Sequence, residues 1–504
     1  MSLESIGKGI RYIMILKFVQ ITATILFYHI ASSVLSETDI GLMATLTFIY
    51  GILTVFSSLA LPMGGVKFVS EFLGRGEDEN ASATARSIVR LVLTNSSIIT
   101  VVMYITLTVI IFRRDSHSEI VLSLALICAA SFLASLKLTY LGIVQGLELF
   151  DKYTITNTAT TIVYCIVGAF LVPELGLTGF SIGFLTSEIV GLTLAFTAFH
   201  GKLQRTSSFY SYRTLLKFSI PLFFTQLVEI FSNWADRILF FSLSLNLASL
   251  GIYDLTIRSA ASILVISGFV EAMALSALSK TYGQTGKRDL TIILKKALRY
   301  LGFMYFPVAF GFAAVSRTLM VSLYSEAYVE GGLPLAILSI SSVVIAFSGL
   351  LGSGLKSIGK TKAFIKISLG SLLVNIIVVI SLTPLIGMIG ATIARVLASL
   401  FTFILFYNEL KNWIKIEFDL DGFWKGAACS IVPAISMLVF DRLELGSKII
   451  NLFLGVTIGV VVYILALILL RALRTEDFKV LRKIMPRITV FINFIEKIAS
   501  RFIE

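Results

Sequence analysis

The chain alternates long apolar stretches with short polar or charged segments. A helix needs about 20 apolar residues to cross a bilayer, so these stretches predict membrane-spanning helices. The first one has full spanning length and no cleavage motif follows it, so we expect a first helix rather than a signal peptide. We predict about fourteen spans in an all-α polytopic membrane protein. Their approximate limits are residues 12–35, 40–61, 84–112, 118–141, 153–172, 177–199, 216–243, 248–278, 294–318, 333–355, 363–383, 387–407, 422–441 and 448–471.

Two passages of the chain repeat one pattern of Pro and Gly. Three positions recur with identical spacing, namely Pro173, Gly176 and Gly179 in the first passage and Pro384, Gly387 and Gly390 in the second. Gly41 and Gly251 each open an apolar span. The interval between them is nearly the same as the interval between matching positions of the two passages. Insertions would scramble unrelated matches, so the shared shift predicts two homologous six-helix repeats, as in many secondary transporters. Both passages follow a span, where Pro ends one helix and Gly permits a tight reversal.

The repeats divide the chain into five predicted parts. These are an N-lobe with spans one to six (1–200), a cytoplasmic linker (201–215), a C-lobe with spans seven to twelve (216–410), an accessory pair of spans thirteen and fourteen (411–471), and a cytoplasmic tail (472–504). The tail mixes apolar and basic residues at helical spacing, so we expect it to form an amphipathic helix on the membrane surface.

The basic residues indicate the orientation, because Lys and Arg accumulate on the cytoplasmic side of a membrane. With the N-terminus inside, the outward segments hold few of the 42 basic residues, namely Arg113, Arg114, Arg317, Arg442 and Lys448. We therefore expect both termini in the cytoplasm and a location in the plasma or inner membrane. Topology and contact with anionic lipid account for the net charge of +12, and no nucleic acid partner is expected.

Composition excludes most other classes of protein. Hydrophobic residues make up 57% of the chain and charged residues 14%, which is incompatible with a set of soluble domains. The three Cys and three His show no disulfide or metal-ligand spacing, and no nucleotide-binding loop or Ser/His/Asp arrangement occurs. We expect no cofactor and no enzyme. A gradient, with H+ or Na+ as the coupling ion left open, or the substrate itself would drive transport.

Span seven carries a polar stripe. Its members follow one another at steps of three, four and three residues, which places them on one helical face, and they are Gln226, Glu229, Asn233 and Asp236. Arg237 lies just beside this face. One interpretation is that the stripe binds neighbouring helices through hydrogen bonds and an ion pair of Asp236 or Arg237. The other is that the stripe lines a cavity.

Span eight places Arg258 near the bilayer midplane, because ten residues of helix at 1.5 Å each put it roughly 15 Å from the outer end. Asp254 lies four residues earlier on the same face, so the two could form a local neutral pair. Alternatively, Arg258 is a cation at the interface between the halves that meets a phosphate, a role that suits the fixed donor fork of Arg.

The other charged candidates have weaker support. Lys17 shares a stripe of span one but is shallow enough to snorkel to the cytoplasmic surface. Arg90 and Arg299 occupy equivalent positions near the cytoplasmic ends of spans three and nine, which the topology alone could explain. Lys67 and Glu71 form either a gate pair or a solvated turn.

Three further residues stand alone within spans. Glu188, Glu271 and Arg395 have no polar stripe to support them. Each is either a link between helices or a coupling site.

These residues stand in motifs that resemble the polysaccharide flippases of the multidrug/oligosaccharidyl-lipid/polysaccharide superfamily. The resemblance covers about residues 10 to 410. In the first half it rests on Asp39-Ile40-Gly41, on Leu61-Pro62-Met63-Gly64-Gly65-Val66-Lys67 and on Gln145-Gly146. In the second half it rests on Asp236-Arg237, Gly251-Ile252-Tyr253, Arg258, Glu326-Ala327-Tyr328, Gly359-Lys360 and Pro384-Leu385-Ile386-Gly387-Met388-Ile389-Gly390-Ala391.

The resemblance implies a fold of fourteen helices in two lobes, similar to that of the multidrug exporters. It also implies alternating access that moves an oligosaccharide on a polyprenyl phosphate or pyrophosphate from the cytoplasmic to the outer leaflet, for cell-surface polysaccharide or glycoprotein assembly. Its partners would be that lipid-linked oligosaccharide, membrane lipids, and glycosyltransferases or a polymerase or ligase of the same pathway.

In similar flippases of peptidoglycan precursors, cationic residues hold the pyrophosphate, and Arg258, Arg237 and Lys17 are the counterparts here. Lys67 departs from the Arg of many relatives, and Ala277 departs from their Pro. The resulting substrate-binding candidates are Arg258, Arg237, Asp236, Lys17, Lys67, Asn233, Glu229, Arg90 and Arg299. The gating or coupling candidates are Asp39, Glu71, Asp254 and Glu188.

Two other functions stay open. A drug or organic-cation antiporter of the same superfamily would need an acidic pocket, which Asp236, Glu229 and Glu188 could supply, whereas Arg258 and Arg237 count against it. A membrane saccharide transferase would need a carboxylate or His on a large outward loop, and no predicted outward loop is long.

Overall fold

The computed structural model describes residues 3–112, 118–203, 206–244, 246–287, 289–360, 362–417, 419–442, 448–470 and 472. Helices account for nearly all of this part of the chain, and it contains no β-strand. The predicted amphipathic tail lies outside the described residues apart from Ala472, as do Arg113 and Arg114 of the second outward segment.

The chain forms two compact units, Met1–Asp254 and Leu255–Glu504. The helices of the first unit are α1 (Leu3–Val34), α2 (Glu37–Ser58), α3 (Leu61–Gly64), α4 (Ser70–Gly74), α5 (Asp78–Phe112), α6 (Ser118–Gly146), α7 (Phe150–Phe199) and α8 (Tyr212–Ser244). Helix α9 (Leu247–Thr285) begins in the first unit and ends in the second. The second unit continues with α10 (Leu290–Ala314), α11 (Ser316–Leu323), α12 (Gly332–Ser357), α13 (Lys362–Lys411), α14 (Leu420–Arg442) and α15 (Lys448–Leu469).

Ten helices of the described residues are long and apolar enough to cross a membrane. Two of them, α7 and α13, have 50 residues each and contain a reversal, so each holds two of the predicted spans. The remaining two predicted spans, the first and the last, lie on α1 and α15. The prediction of an all-α polytopic membrane protein is therefore confirmed.

The repeated Pro and Gly passages form these two reversals. Gly176 has φ 54° and ψ −130°, and Gly387 has φ 56° and ψ −133°, a backbone conformation that side chains with a Cβ rarely adopt. A Cβ on Gly179 would overlap the carbonyl of Leu171, eight residues earlier. A straight helix would separate those residues by about 12 Å, so the chain has turned back on itself.

Gly41 and Gly251 allow the first turns of α2 and α9 to cross closely. A Cβ on Gly41 would overlap the carbonyl of Leu247, and one on Gly251 would overlap the carbonyl of Glu37. The two contacts are reciprocal, because each glycine meets the residue four positions before the other. Such a self-complementary contact is the kind that twofold symmetry produces.

The connection between α2 and α5 is irregular. Leu59 and Ala60 have positive φ angles of 47° and 54°, which cost non-glycine residues free energy. A π-helical turn at Gly65–Val69 follows α3. Gly142 of α6 lets its backbone approach that of Pro62, since a Cβ there would overlap the Pro62 carbonyl. This close approach fixes the strained connection against α6.

Each unit has its own apolar core. In the first, Leu61, Phe68 and Ile88 pack together with Ile143 of α6. In the second, a larger cluster joins α9, α10, α12 and α13 around side chains such as Tyr305, Phe347, Leu351 and Phe406.

Candidate functional site

A cavity of about 370 Å³ lies within the first unit, between α2, α3 with the π-helical turn, α6, the start of α7, and α8. Its size falls in the range of about 300–1,000 Å³ that is usual for small-molecule sites. Its larger polar and aromatic lining residues are Gln145, Tyr153, Gln226, Glu229, Asn233 and Trp234. These six residues define what we call the polar cavity.

The structure divides the predicted stripe of α8. Gln226, Glu229 and Asn233 line the polar cavity, as the cavity-lining interpretation requires. Asp236 is instead fully buried and accepts a hydrogen bond of 2.9 Å from the hydroxyl of Tyr253 on α9. One end of the stripe therefore faces open space, and the other joins two helices.

Several polar groups of the cavity wall have no hydrogen-bonding partner among the described residues. The Oε1 atom of Gln226 is buried and accepts no hydrogen bond from the described residues. Within the same part of the chain, the side chains of Gln145 and Glu229 make no hydrogen bond or ion pair. Because buried polar atoms in proteins are nearly always hydrogen-bonded, the buried Gln226 Oε1 is available to water or to a polar ligand. The half-buried Gln145 and the exposed Glu229 face the same cavity.

Trp234 forms a supported aromatic wall. Its ring packs against Phe48 of α2 at 5.5 Å between centroids, and the guanidinium of Arg237 lies 4.1 Å from its centre. Arg237 in turn binds the Oδ1 atom of Asp254 at 2.7 Å. The side chains of this pair are 11% and 1% exposed, so Arg237 is held inside the protein behind Trp234.

The described lining of the cavity contains one Asp, Glu, Lys or Arg side chain. Glu229 is the charged side chain among the lining residues that the structure describes, and no Lys or Arg occurs among them. The described residues also contain no group of three or more His, Cys, Asp or Glu that could hold a metal ion. The arrangement therefore suits a ligand that offers hydroxyls, amides or a positive charge.

The other predicted cations lie elsewhere. Lys17 is exposed on α1. Lys67 is exposed on the π-helical turn, directly after the lining residue Val66, with its Nζ 4.7 Å from the ring centres of both Phe68 and Phe218.

Arg90, Arg258 and Arg299 differ in exposure. Arg90 is exposed and lies over the ring of Phe209 at 5.1 Å. Arg258 is half-buried on the part of α9 that belongs to the second unit. Arg299 is largely buried, with its Nε 3.4 Å from Oδ2 of Asp419 and its Nη2 donating to the Ala472 carbonyl at 3.0 Å. These contacts tie Arg299 both to the segment before α14 and to the residue Ala472 that follows α15.

Two gating candidates have local structural partners. Asp39 forms a capping box with Ser36, in which each side chain accepts a hydrogen bond from the backbone of the other, and this starts α2. Glu71 pairs with Arg75, one turn further along, at 2.5 Å on the exposed surface.

Glu188 is the centre of a buried cluster that the sequence did not reveal. Its carboxylate is 3% exposed and lies 2.9 Å and 2.8 Å, through Oε1 and Oε2, from the Nζ atom of Lys137 on α6. The hydroxyl of Tyr50 on α2 donates to Oε1 at 2.8 Å. The cluster thus joins α2, α6 and α7.

Sequence reasoning also missed Trp234, Tyr153 and the cavity-facing position of Gln145. Two features of the sequence could have indicated Trp234. It directly follows Asn233 of the polar stripe, and few Trp residues occur in the chain. Tyr153 gave no such signal, and Gln145 was marked only by the motif Gln145-Gly146, because both join the site only when the fold brings α6, α7 and α8 around one cavity.

Comparisons with known proteins agree with this architecture. A sequence model of the polysaccharide biosynthesis protein family matches residues 32–331. The probable low-salt glycan biosynthesis flippase Agl15 of Haloferax volcanii is 20% identical over 321 residues, covering 63% of this chain and 68% of that protein. The solved structure of the lipid II flippase MurJ in an inward closed conformation matches with a TM-score of 0.74 and 17% identity, over 90% of this chain and 97% of that one.

A solved inward-facing multidrug resistance transporter of the MATE family, within the MOP superfamily, matches with a TM-score of 0.64 and 16% identity. The match covers 78% of this chain and 94% of the chain of that transporter. These likenesses confirm the predicted fold, which is similar to that of the multidrug exporters. Together with the apolar helices, they identify a multi-pass membrane protein.

Proposed function

Because the chain belongs to the polysaccharide biosynthesis protein family, we propose that it is a flippase. Its cargo would be an oligosaccharide linked to a polyprenyl phosphate or pyrophosphate, carried from the cytoplasmic to the outer leaflet for assembly of a surface polysaccharide or glycoprotein. The similarity to a probable glycan biosynthesis flippase supports this proposal.

One observation carries the proposal, namely a polar cavity among largely apolar helices, with hydrogen-bonding groups that have no partner in the described residues. The head of a lipid-linked sugar cannot pass through hydrocarbon, whereas its tail can stay in the lipid. A carrier therefore needs a polar compartment for the head. Groups such as Gln226 Oε1, which has no partner among the residues that the structure describes, are suited to line it.

We propose that the predicted N-lobe (1–200) and C-lobe (216–410) rock against each other around the head group, with the linker, the accessory pair and the tail outside this motion. The phosphate would be held by cations beyond the wall of the polar cavity. Arg258, Lys17 and Lys67 are the candidates, because Arg237 is engaged with Asp254 behind Trp234.

The test is translocation in reconstituted vesicles that contain a fluorescent lipid-linked oligosaccharide. The protein should expose the label to an outside quencher faster than empty vesicles do. Arg258→Ala should abolish this gain while leaving expression and thermal unfolding unchanged, and Asp421→Asn, on the exposed surface of α14, should keep full activity. Equal rates with and without protein would overturn the flippase proposal, and full activity of Arg258→Ala would overturn the phosphate role.

A specific observation also favours a second candidate function. Glu229 and Trp234 face one cavity whose described lining has no Lys or Arg, an arrangement that would suit an organic cation. In the same vesicles, an organic-cation antiporter would move a fluorescent aromatic cation against a proton or sodium gradient. Cation transport without movement of the lipid-linked sugar would select this function instead.

A further inference from the structure

The polar cavity has a flat aromatic surface whose position is fixed. Trp234 contacts Phe48 on one helix and Arg237 on its own helix, and the ion pair with Asp254 holds Arg237 in place. A pyranose ring has an apolar face of C–H groups and a rim of hydroxyls. A Trp side chain offers such a ring a rigid apolar face together with an N–H donor at its edge.

The groups around Trp234 match the rim of a sugar. Gln145 and Gln226 can donate and accept, the Tyr153 hydroxyl can do both, and the Glu229 carboxylate accepts only. Sugar hydroxyls also donate and accept, so each could find a partner here. The buried Oε1 of Gln226, which lacks a partner in the described residues, would gain a hydroxyl donor.

The charge of the cavity separates one class of sugar from another. Glu229 lines the cavity without a described ion-pair partner, and the described lining contains no Lys or Arg. A uronic acid or another anionic sugar would bring a second negative charge into the cavity beside Glu229, and two like charges at close range repel each other. A neutral sugar would meet no such repulsion.

We propose that the polar cavity binds an uncharged sugar residue of the cargo, stacked on Trp234, and that Glu229 rejects acidic sugars. This inference rests on the proposed function. It places the phosphate outside the cavity wall and makes Arg237 and Asp254 positioning residues for Trp234. The chain would therefore serve the assembly of glycans in which the sugar residue that stacks on Trp234 is neutral.

Binding is measured in detergent with lipid-free oligosaccharides, so that neither tail nor phosphate contributes. Trp413→Phe and Trp424→Phe leave Trp234 as the remaining tryptophan of the chain, and its fluorescence then reports on the cavity directly. A neutral hexose oligosaccharide should change the Trp234 emission, and a hexuronic acid oligosaccharide of the same length should bind at least about tenfold more weakly, equivalent to about 1.4 kcal/mol.

Glu229→Gln keeps the size and hydrogen-bonding capacity of the side chain but removes its charge. The preference for the neutral oligosaccharide should fall to within about twofold, because the acidic one gains affinity. Asp421→Asn, which removes an exposed carboxylate on α14, should leave the preference unchanged. A purely structural role of Glu229 would weaken both ligands alike and would not change their ratio.

Equal binding of the two oligosaccharides by the unaltered cavity, or binding of neither, would overturn the inference. So would an unchanged preference in Glu229→Gln. The vesicle assay distinguishes this failure from a failure of the proposed function. If the protein translocates a lipid-linked sugar but its cavity shows no selectivity, the flippase proposal is retained and only the selectivity proposal is rejected.

Arg237→Lys provides a readout for positioning. It should shift the emission of Trp234 in the unliganded protein, because the flat guanidinium no longer lies over the ring. The affinity for the neutral oligosaccharide should fall, while the ratio of the affinities for the neutral and the acidic oligosaccharide should stay the same. An unaltered emission spectrum would show that Arg237 does not position Trp234.

Discussion

At the scale of single residues, Lys137 and Glu188 form a buried ion pair in the first unit. Lys137 and Glu188 are both nearly inaccessible, and the Tyr50 hydroxyl supplies a further hydrogen bond to the carboxylate. Removing two charges from water costs several kcal/mol each, which their mutual attraction offsets only while the geometry is kept. The pair should therefore be sensitive to the loss of one partner and tolerant to the loss of both.

Lys137→Met should lower the free energy of unfolding by about 3–5 kcal/mol, because it leaves the Glu188 carboxylate buried without its cation. The double variant Lys137→Met/Glu188→Leu should recover most of that loss. Thermal unfolding in detergent measures both. A double variant as unstable as the single one would show that the packing of the Lys137 side chain, rather than the charge of Glu188, sets the cost.

The sequence could place these residues in spans but could not pair them. Helical spacing shows which residues share a face, as it did for Gln226, Glu229 and Asn233. It does not show which helix lies opposite that face. Glu188 therefore looked isolated, although its cation lies 51 residues away on α6.

At the scale of elements, glycines determine how the long helices turn and cross. Gly176 and Gly387 occupy equivalent positions in α7 and α13 and have nearly identical backbone angles, so the two repeats use one device for reversal. This part was predictable, because Pro and Gly leave a signature in the sequence. The positive φ angles of Leu59 and Ala60 were not predictable, since neither residue favours that conformation and the packing around α3 imposes it.

Gly176→Ala and Gly387→Ala should each destabilise the protein by about 1–3 kcal/mol, because alanine must adopt a left-handed conformation at the reversal. Gly74→Ala is the matched control. Gly74 lies in helix α4 with open space around its Cβ position, so alanine there should be neutral or stabilising by up to about 1 kcal/mol.

The same thermal unfolding assay compares the three variants. If Gly74→Ala lowers the stability as much as the two substitutions at the reversals do, the conformational explanation is contradicted. Replacement of a glycine would then by itself be the cause of the loss.

At the scale of the whole molecule, the orientation decides from which side the cargo head enters. Ser58, Gln145 and Tyr153 lie near the end of α2, the end of α6 and the start of α7. If the N-terminus lies in the cytoplasm, as the sequence predicts, all three ends would lie on the cytoplasmic side, and the polar cavity would occupy the cytoplasmic half of the first unit. This topology is a prediction from the distribution of Lys and Arg, which is a property of the sequence alone.

Single-cysteine labelling in intact cells tests this orientation. The three native cysteines are buried, so a membrane-impermeant maleimide should not reach them in the folded protein. Glu174→Cys, exposed at the reversal of α7, should react from outside. Ser207→Cys, exposed in the linker, should react only after the membrane is permeabilised. The opposite pattern would invert the topology and place the polar cavity on the outer side, where it could receive a sugar from outside but could not load one made in the cytoplasm.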